Sequence, residues 1–193
     1  HINFEAVEKL AERTIMAVKK KSEAPSKKIE KTEKSQKCRY WLMKSEPDVF
    51  SIFDLEKAKN KTTHWDGVRN YQARNFLRVE IKLKDKVLYY HSNSEPSAIV
   101  GVAEVVREGY PDHTAFDEND DHYDPKSKKD EPTWYMVDIK HVETFAEPLP
   151  LSMLKEVPSL KNMVLLQKGS RLSVQPVTEE EFEAILKLSQ KRK

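Results

Sequence analysis

Apolar residues recur at helical spacing near the start of the chain. Phe4, Val7, Leu10, Ala11, Ile15 and Val18 fall on one face, which predicts an amphipathic helix over residues 3–18. That face needs a partner, either the main domain or another protein. From Lys19 to Lys37 the chain is mostly lysine, glutamate and serine, with Ile29 the lone large apolar residue. Such a segment buries too little to offset its ordering entropy and reads as a disordered linker. At Cys38 the pattern changes to short apolar runs. Arg39–Lys44 reads as a strand, and Ser51-Ile52-Phe53-Asp54 has the form of a capping box opening a short helix to Ala58. Asn70–Val79 is helical, with Phe76 and Leu77 inward and Arg69, Arg74 and Arg78 toward solvent. Lys86–His91 and Ala98–Val106 are strand runs around the turn-rich Ser92–Ser97. Thr133–Phe145 alternates as a long strand. Short helical pieces follow at Leu151–Glu156 and Ser159–Met163, then a strand at Leu172–Gln175. Thr178 and Glu181 form a second capping box, opening a closing helix to Leu188.

No internal repeat is present. Several strands with interspersed short helices and few βαβ signals predict an α+β fold, a mixed and partly closed β-barrel. The chain divides into residues 1–38, a helix and a Lys-rich linker, and residues 39–193, the folded domain.

Composition narrows the function classes. Hydrophobic content of 38% and charged content of 34% suit a soluble domain. No apolar run approaches the roughly 18 residues that cross a bilayer, so no membrane role is expected. The first twenty residues carry charges throughout and lack a signal-peptide pattern. Cys38 is the single cysteine and forms no internal disulfide, which fits a reducing compartment. Residues 1–38 hold ten basic and six acidic side chains, so the remainder is slightly acidic. Any phosphate contact there must come from a local patch, helped by the basic tail. Lys19-Lys20-Lys21 and Lys27-Lys28 around a polar spacer resemble a two-part nuclear import signal, and read equally as a solvated tether.

Four stretches carry candidate chemistry. In His64-Trp65-Asp66-Gly67-Val68-Arg69-Asn70 an indole is flanked by hydrogen-bonding groups, which suits stacking on a nucleobase. The same corner reads as half-buried packing followed by a helix cap. Lys44-Ser45-Glu46-Pro47 can reach a phosphate and a base edge, or is an ordinary strand exit. Tyr90-His91-Ser92-Asn93 ends a strand. It lacks the G-x-S-x-G elbow and an acid at partner spacing, so it makes a poor hydrolase site. Tyr110–Glu131 is a long acidic loop, a length that is usually functional or disordered. It fails the EF-hand pattern, and His113 and His122 have no cysteine partners at zinc spacing. No catalytic residue, metal or cofactor is expected.

Taken in order, Tyr40–Pro47, Trp65–Asn75, Tyr90–Asn93, Ile99–Val105, Tyr123–Ser127 and Leu172–Thr178 resemble the EVE domain family, from about Arg39 to Leu188. The resemblance implies a PUA-like pseudobarrel related to the YTH readers of methylated adenine. It implies a nuclear, non-enzymatic reader of modified bases, above all 5-modified cytosine in DNA such as 5-hydroxymethylcytosine, with the base flipped into a pocket. Carried over by position, that pocket comprises Lys44, Ser45, Glu46, Trp65, Asp66, Gly67, Val68, Arg69, Asn70, Ser92 and Asn93. Arg69, Arg74 and Arg78 are the phosphate-binding candidates. Two stretches depart from the family pattern: Lys84-Asp85 stands where Gly-Asp is common, and Ser94–Ala98 replaces a cysteine and a Pro-Gly pair. The alternatives are a modified-RNA binder, a hydrolase-like enzyme acting on a nucleoside or small amide with His91 and Glu46, and a scaffold that docks a protein partner through the N-terminal helix.

Overall fold

The computed structural model describes residues 39–191. The N-terminal helix and linker expected over residues 1–38 lie outside the described residues. Six strands form one sheet: β1 (Tyr40–Ser45), β2 (Thr62–Trp65), β3 (Lys86–His91), β4 (Ala98–Pro111), β5 (Tyr135–Pro150) and β6 (Val174–Val177), in the order β2-β5-β4-β3-β1-β6. β1 pairs with β3 in parallel, and every other pairing is antiparallel. The helices are α1 (Ile52–Lys57), α2 (Tyr71–Asn75), α3 (Leu151–Lys155) and α4 (Glu179–Gln190). The fold is α+β, as the run of strands and short helices predicts. No helix among the described residues is long and apolar enough to cross a membrane.

The central strands are buried on both faces, and their sequences show it. Trp41, Met43, Val87 and Tyr89 point into one core, while Leu42, Leu88 and Tyr90 point into another. Period-2 alternation therefore places apolar residues on both sides rather than separating apolar from polar. The first core is closed by α1, through Ile52 and Leu55, by α2, through Ala73, and by the turn Phe76–Glu80 after it, through Leu77. The second is closed by α3 and α4, through Leu154, Phe182 and Ile185. Each buried leucine, isoleucine or phenylalanine among them contributes roughly 1.5–3 kcal/mol.

Both capping boxes form. Ser51 and Asp54 cap α1 reciprocally, and Thr178 and Glu181 cap α4. The helix expected over Asn70–Val79 is two pieces: α2 gives way to a π-helical turn at Phe76–Glu80. β2 has no counterpart in the sequence reading. Thr62–Trp65 becomes a strand because it pairs with Val137–Lys140 of β5, a partner distant in sequence. β4 and β5 are longer than their patterns suggest, and bend at several register shifts along their shared edge. This bending curls the sheet. Its two ends, β2 on one side and the β1–β6 pair on the other, border one cavity.

Candidate nucleic-acid interface

The cavity holds about 560 Å³, within the range of small-molecule sites. β1 contributes Lys44 and Ser45 at its C-terminal end. The turn after β1 contributes Val49 and Phe50, and β2 contributes Thr63, His64 and Trp65. Asp66, Gly67, Val68 and Arg69 follow, while His122 and Ser173 close the rim.

Trp65 is buried because its indole packs edge-on against Tyr89, with ring centroids 5.4 Å apart and planes at 88°. Tyr89 is fixed in turn by donating its hydroxyl to the Phe50 carbonyl at 2.8 Å. Burial raises the Tyr89 pKa well above its ordinary value, so it stays a neutral donor. The Ser45 hydroxyl donates to the same carbonyl at 2.8 Å, tying the strand exit to the turn behind it. Burial lowers the Lys44 pKa from its ordinary value, marking an ammonium group partly withdrawn from water.

The Asp66–Arg69 corner is bolted to the acidic loop. Asp112 is fully buried and accepts from the Gly67 N–H at 3.0 Å and from Arg69 Nη1 at 2.7 Å. Burial pushes the Asp112 carboxyl up. The hydrogen bonds from Arg69 and Thr114, the Arg69 charge and the Gly67 N–H outweigh it, and the pKa lies below its ordinary value. Arg69 also donates to Thr114 Oγ1, the Val68 carbonyl and the His122 carbonyl, the last from both Nε and Nη2. All five guanidinium N–H groups are thereby engaged within the protein. Arg69 borders the cavity, yet it offers no donor to a phosphate in this arrangement, because burial of Asp112 demands a paired cation.

Gly67 has φ +69°, a backbone conformation that favours glycine. It also makes room: a Cβ there would lie 2.7 Å from Nε2 of His122. The loop thus lays an imidazole against the corner. Asp120 orients it, accepting from the His122 N–H and facing Nδ1 at 3.1 Å. Asp124 holds the far side of the loop by accepting from Trp134 Nε1 at 2.6 Å, a bond that lowers its pKa. These carboxylates fix a loop backbone rather than cluster around one point.

The remaining expected pocket residues sit beside the cavity rather than in its lining. Asn70 caps α2, its Oδ1 accepting from the Gln72 and Ala73 N–H groups. Asn93 donates to Glu46 at 2.7 Å, and the Ser92 N–H donates to the Ser45 carbonyl, forming a bracket behind the β1 exit. His91 accepts the Ile52 N–H on Nε2 at 3.1 Å and anchors the first turn of α1. Burial lowers its pKa, in keeping with a neutral acceptor.

A stack of rings leads away from the cavity. Arg69 lies over Trp134, Trp134 meets Tyr71 at 5.0 Å, and Arg74 lies over Tyr71 at 5.1 Å. It ends in a groove lined by Arg74, Arg78, Lys126 and Lys128, together with Asp130 and Glu131. Arg78 is exposed, over the Tyr135 ring. Arg74 is partly engaged, donating to the Thr133 carbonyl at 2.7 Å.

The EVE domain family model matches residues 39–188, nearly all of the described chain. The chain belongs to the EVE domain family. Human thymocyte nuclear protein 1 is 47% identical over 169 residues, covering 79% of this chain and 74% of that protein. A crystal structure of the human THYN1 protein with 5-methylcytosine-containing DNA superposes with a TM-score of 0.75 at 47% identity, covering 79% of this chain and 98% of that one. A Pseudomonas putida structure matches with a TM-score of 0.74 at 47% identity, covering 78% of this chain and 99% of that one. Within this EVE domain, Lys44, Ser45 and Trp65–Arg69 line one cavity. His122, from the acidic loop, and Ser173, just before β6, join them at the rim, though neither is among the expected pocket residues.

Proposed function

We propose that this EVE domain is a non-enzymatic reader of 5-modified cytosine in DNA, working in the nucleus. The observation that carries the reading is the cavity between the ends of the sheet, with Trp65 in its wall and a basic groove one aromatic stack away. A relative of 47% identity crystallised with 5-methylcytosine-containing DNA supports the ligand class. The relatives' name, thymocyte nuclear protein, supports the compartment.

The target base leaves the duplex at a cost of a few kcal/mol. Stacking on Trp65 returns roughly 1–3 kcal/mol, whatever the base. The Asp66 carboxylate accepts from the cytosine amino group, a pairing that selects cytosine. The 5-substituent lies against Val49, Phe50 and Val68. A hydroxymethyl group additionally meets the hydroxyl-bearing residues Ser45, Thr63 and Ser173. Arg74, Arg78, Lys126 and Lys128 hold the backbone, and the basic segment before Arg39 adds affinity without regard to sequence. Binding rather than turnover is favoured because His91, the one base candidate at the β3 end, already accepts the Ile52 N–H.

Base flipping is read with 2-aminopurine placed beside the modified cytosine. Its fluorescence should rise on binding, and rise less when the neighbour is plain cytosine. Saturated binding with no change in fluorescence would overturn the flipping step.

A further inference from the structure

His113 lies on the 3₁₀ turn His113–Phe116, far in sequence from β2. The fold brings it beside His64 and Asp66. One ligand atom from each of the three lies within 4.8 Å of the others. The two imidazole rings meet edge-on at 5.1 Å, and His64 Nε2 is 3.3 Å from Asp66 Oδ2. Zinc ligands at about 2.0–2.1 Å in tetrahedral array stand about 3.3 Å apart, so this pair already has the separation of two ligands.

We propose that His64, Asp66 and His113 form a binding site for a divalent transition metal of the zinc class, at the lip of the cavity. Two imidazoles and a carboxylate are the donor set that such ions take, whereas magnesium and calcium prefer all-oxygen sites. The scaffold under the site is rigid. His64 and Asp66 are two residues apart at the end of an extended strand, so their side chains share a face. The Gly67 N–H bond to Asp112 joins the residue after Asp66 to the residue before His113. That contact sets the distance between the two halves of the site, and the Arg69–Asp112 ion pair reinforces it. Sequence spacing misses the arrangement because the third ligand comes from another element, and the expectation of no metal rested on spacing alone.

Three protein ligands leave a fourth position open. If the DNA reading above holds, Asp66 takes the metal through Oδ2, the atom 3.3 Å from His64 Nε2, and keeps its other oxygen for the cytosine amino group. A phosphate oxygen then takes the fourth position, and the ion supplies at the lip the positive charge that Arg69 does not. The site itself is independent of that reading and is tested without nucleic acid.

Tag-free protein of residues 1–193, freed of metal with a chelator, is titrated with cobalt(II) and then zinc(II). Ligand-field absorption follows cobalt binding, and its loss follows displacement by zinc. One equivalent should bind. His64→Gln and His113→Gln should each weaken binding at least tenfold with unchanged circular dichroism, both side chains being exposed. His1→Gln and His141→Gln should bind as the parent does. No ligand-field absorption in the parent, or binding unaffected by His64→Gln and His113→Gln, would overturn the site, as would loss of binding in His1→Gln.

Discussion

The imidazole of His122 rests against Gly67, where a β-carbon would approach its Nε2 to 2.7 Å. Gly67 combines this contact with a positive φ and an N–H bonded to the buried Asp112. Gly67→Ala must therefore either strain the corner or expel His122 from the rim. The expected cost is about 1–3 kcal/mol of stability, read from the urea unfolding midpoint. Selectivity among modified bases should fall with it. A substitution that left both unchanged would show that the loop does not bear on the cavity.

Arg69 and Asp112 define a second relationship. Asp112 is wholly buried and Arg69 largely so. Arg69→Met strands a buried carboxylate, and about 3–5 kcal/mol of stability should be lost. Arg69→Lys should recover only part, since an ammonium group cannot reproduce the five-bond fork. Asp112→Asn in the Arg69→Met background should restore stability relative to Arg69→Met alone. Urea unfolding of the single and double variants supplies the coupling energy.

The basic groove should behave differently. Arg78 and Lys126 are exposed, and among the described residues neither is in an ion pair. Arg78→Ala and Lys126→Ala should leave stability unchanged. Each should weaken DNA binding evenly across sequences and reduce the slope of log affinity against log salt by about 1. An unchanged slope would remove the groove from the DNA path.

His91 sets a pH dependence of stability. Burial lowers its pKa from the ordinary 6.5, and the Asp54 charge opposes this only in part. A lowered folded-state value means that the unfolded chain binds the proton more readily. The contribution of His91 is therefore complete above about pH 6.5 and is lost as the pH falls through the folded-state value. The urea midpoint of the parent should drop on acidification through this window, and that of His91→Gln should drop less. Parallel pH profiles would show that His91 does not titrate with folding.

Local chemistry made much of this architecture legible. Each capping box is written within four residues, and Thr178 and Glu181 form theirs as the spacing requires. β1 and β3 were legible because both faces are apolar. β2 was not, since Thr62–Trp65 has no alternation of its own and exists by pairing with β5. The same division runs through the site. Trp65 and its neighbours stand out as an unusual corner, but His122 and Ser173 reach it only through tertiary structure. The helix cap at Asn70 is one of two readings of that corner, and the cap is what forms. Arg69 looks available in sequence because nothing nearby reveals that it neutralises a buried carboxylate.

The central claim is that the cavity distinguishes a modified cytosine. The most direct measurement is a titration at fixed salt with matched duplexes holding cytosine, 5-methylcytosine, 5-hydroxymethylcytosine or 5-formylcytosine at one position, with the same series in RNA. A buried methyl group is worth about 0.8 kcal/mol, so a modified duplex should bind about fourfold or more tightly than the plain one. Equal, weak and salt-sensitive binding to every oligonucleotide would contradict the account and leave only sequence-blind contact with the phosphate backbone.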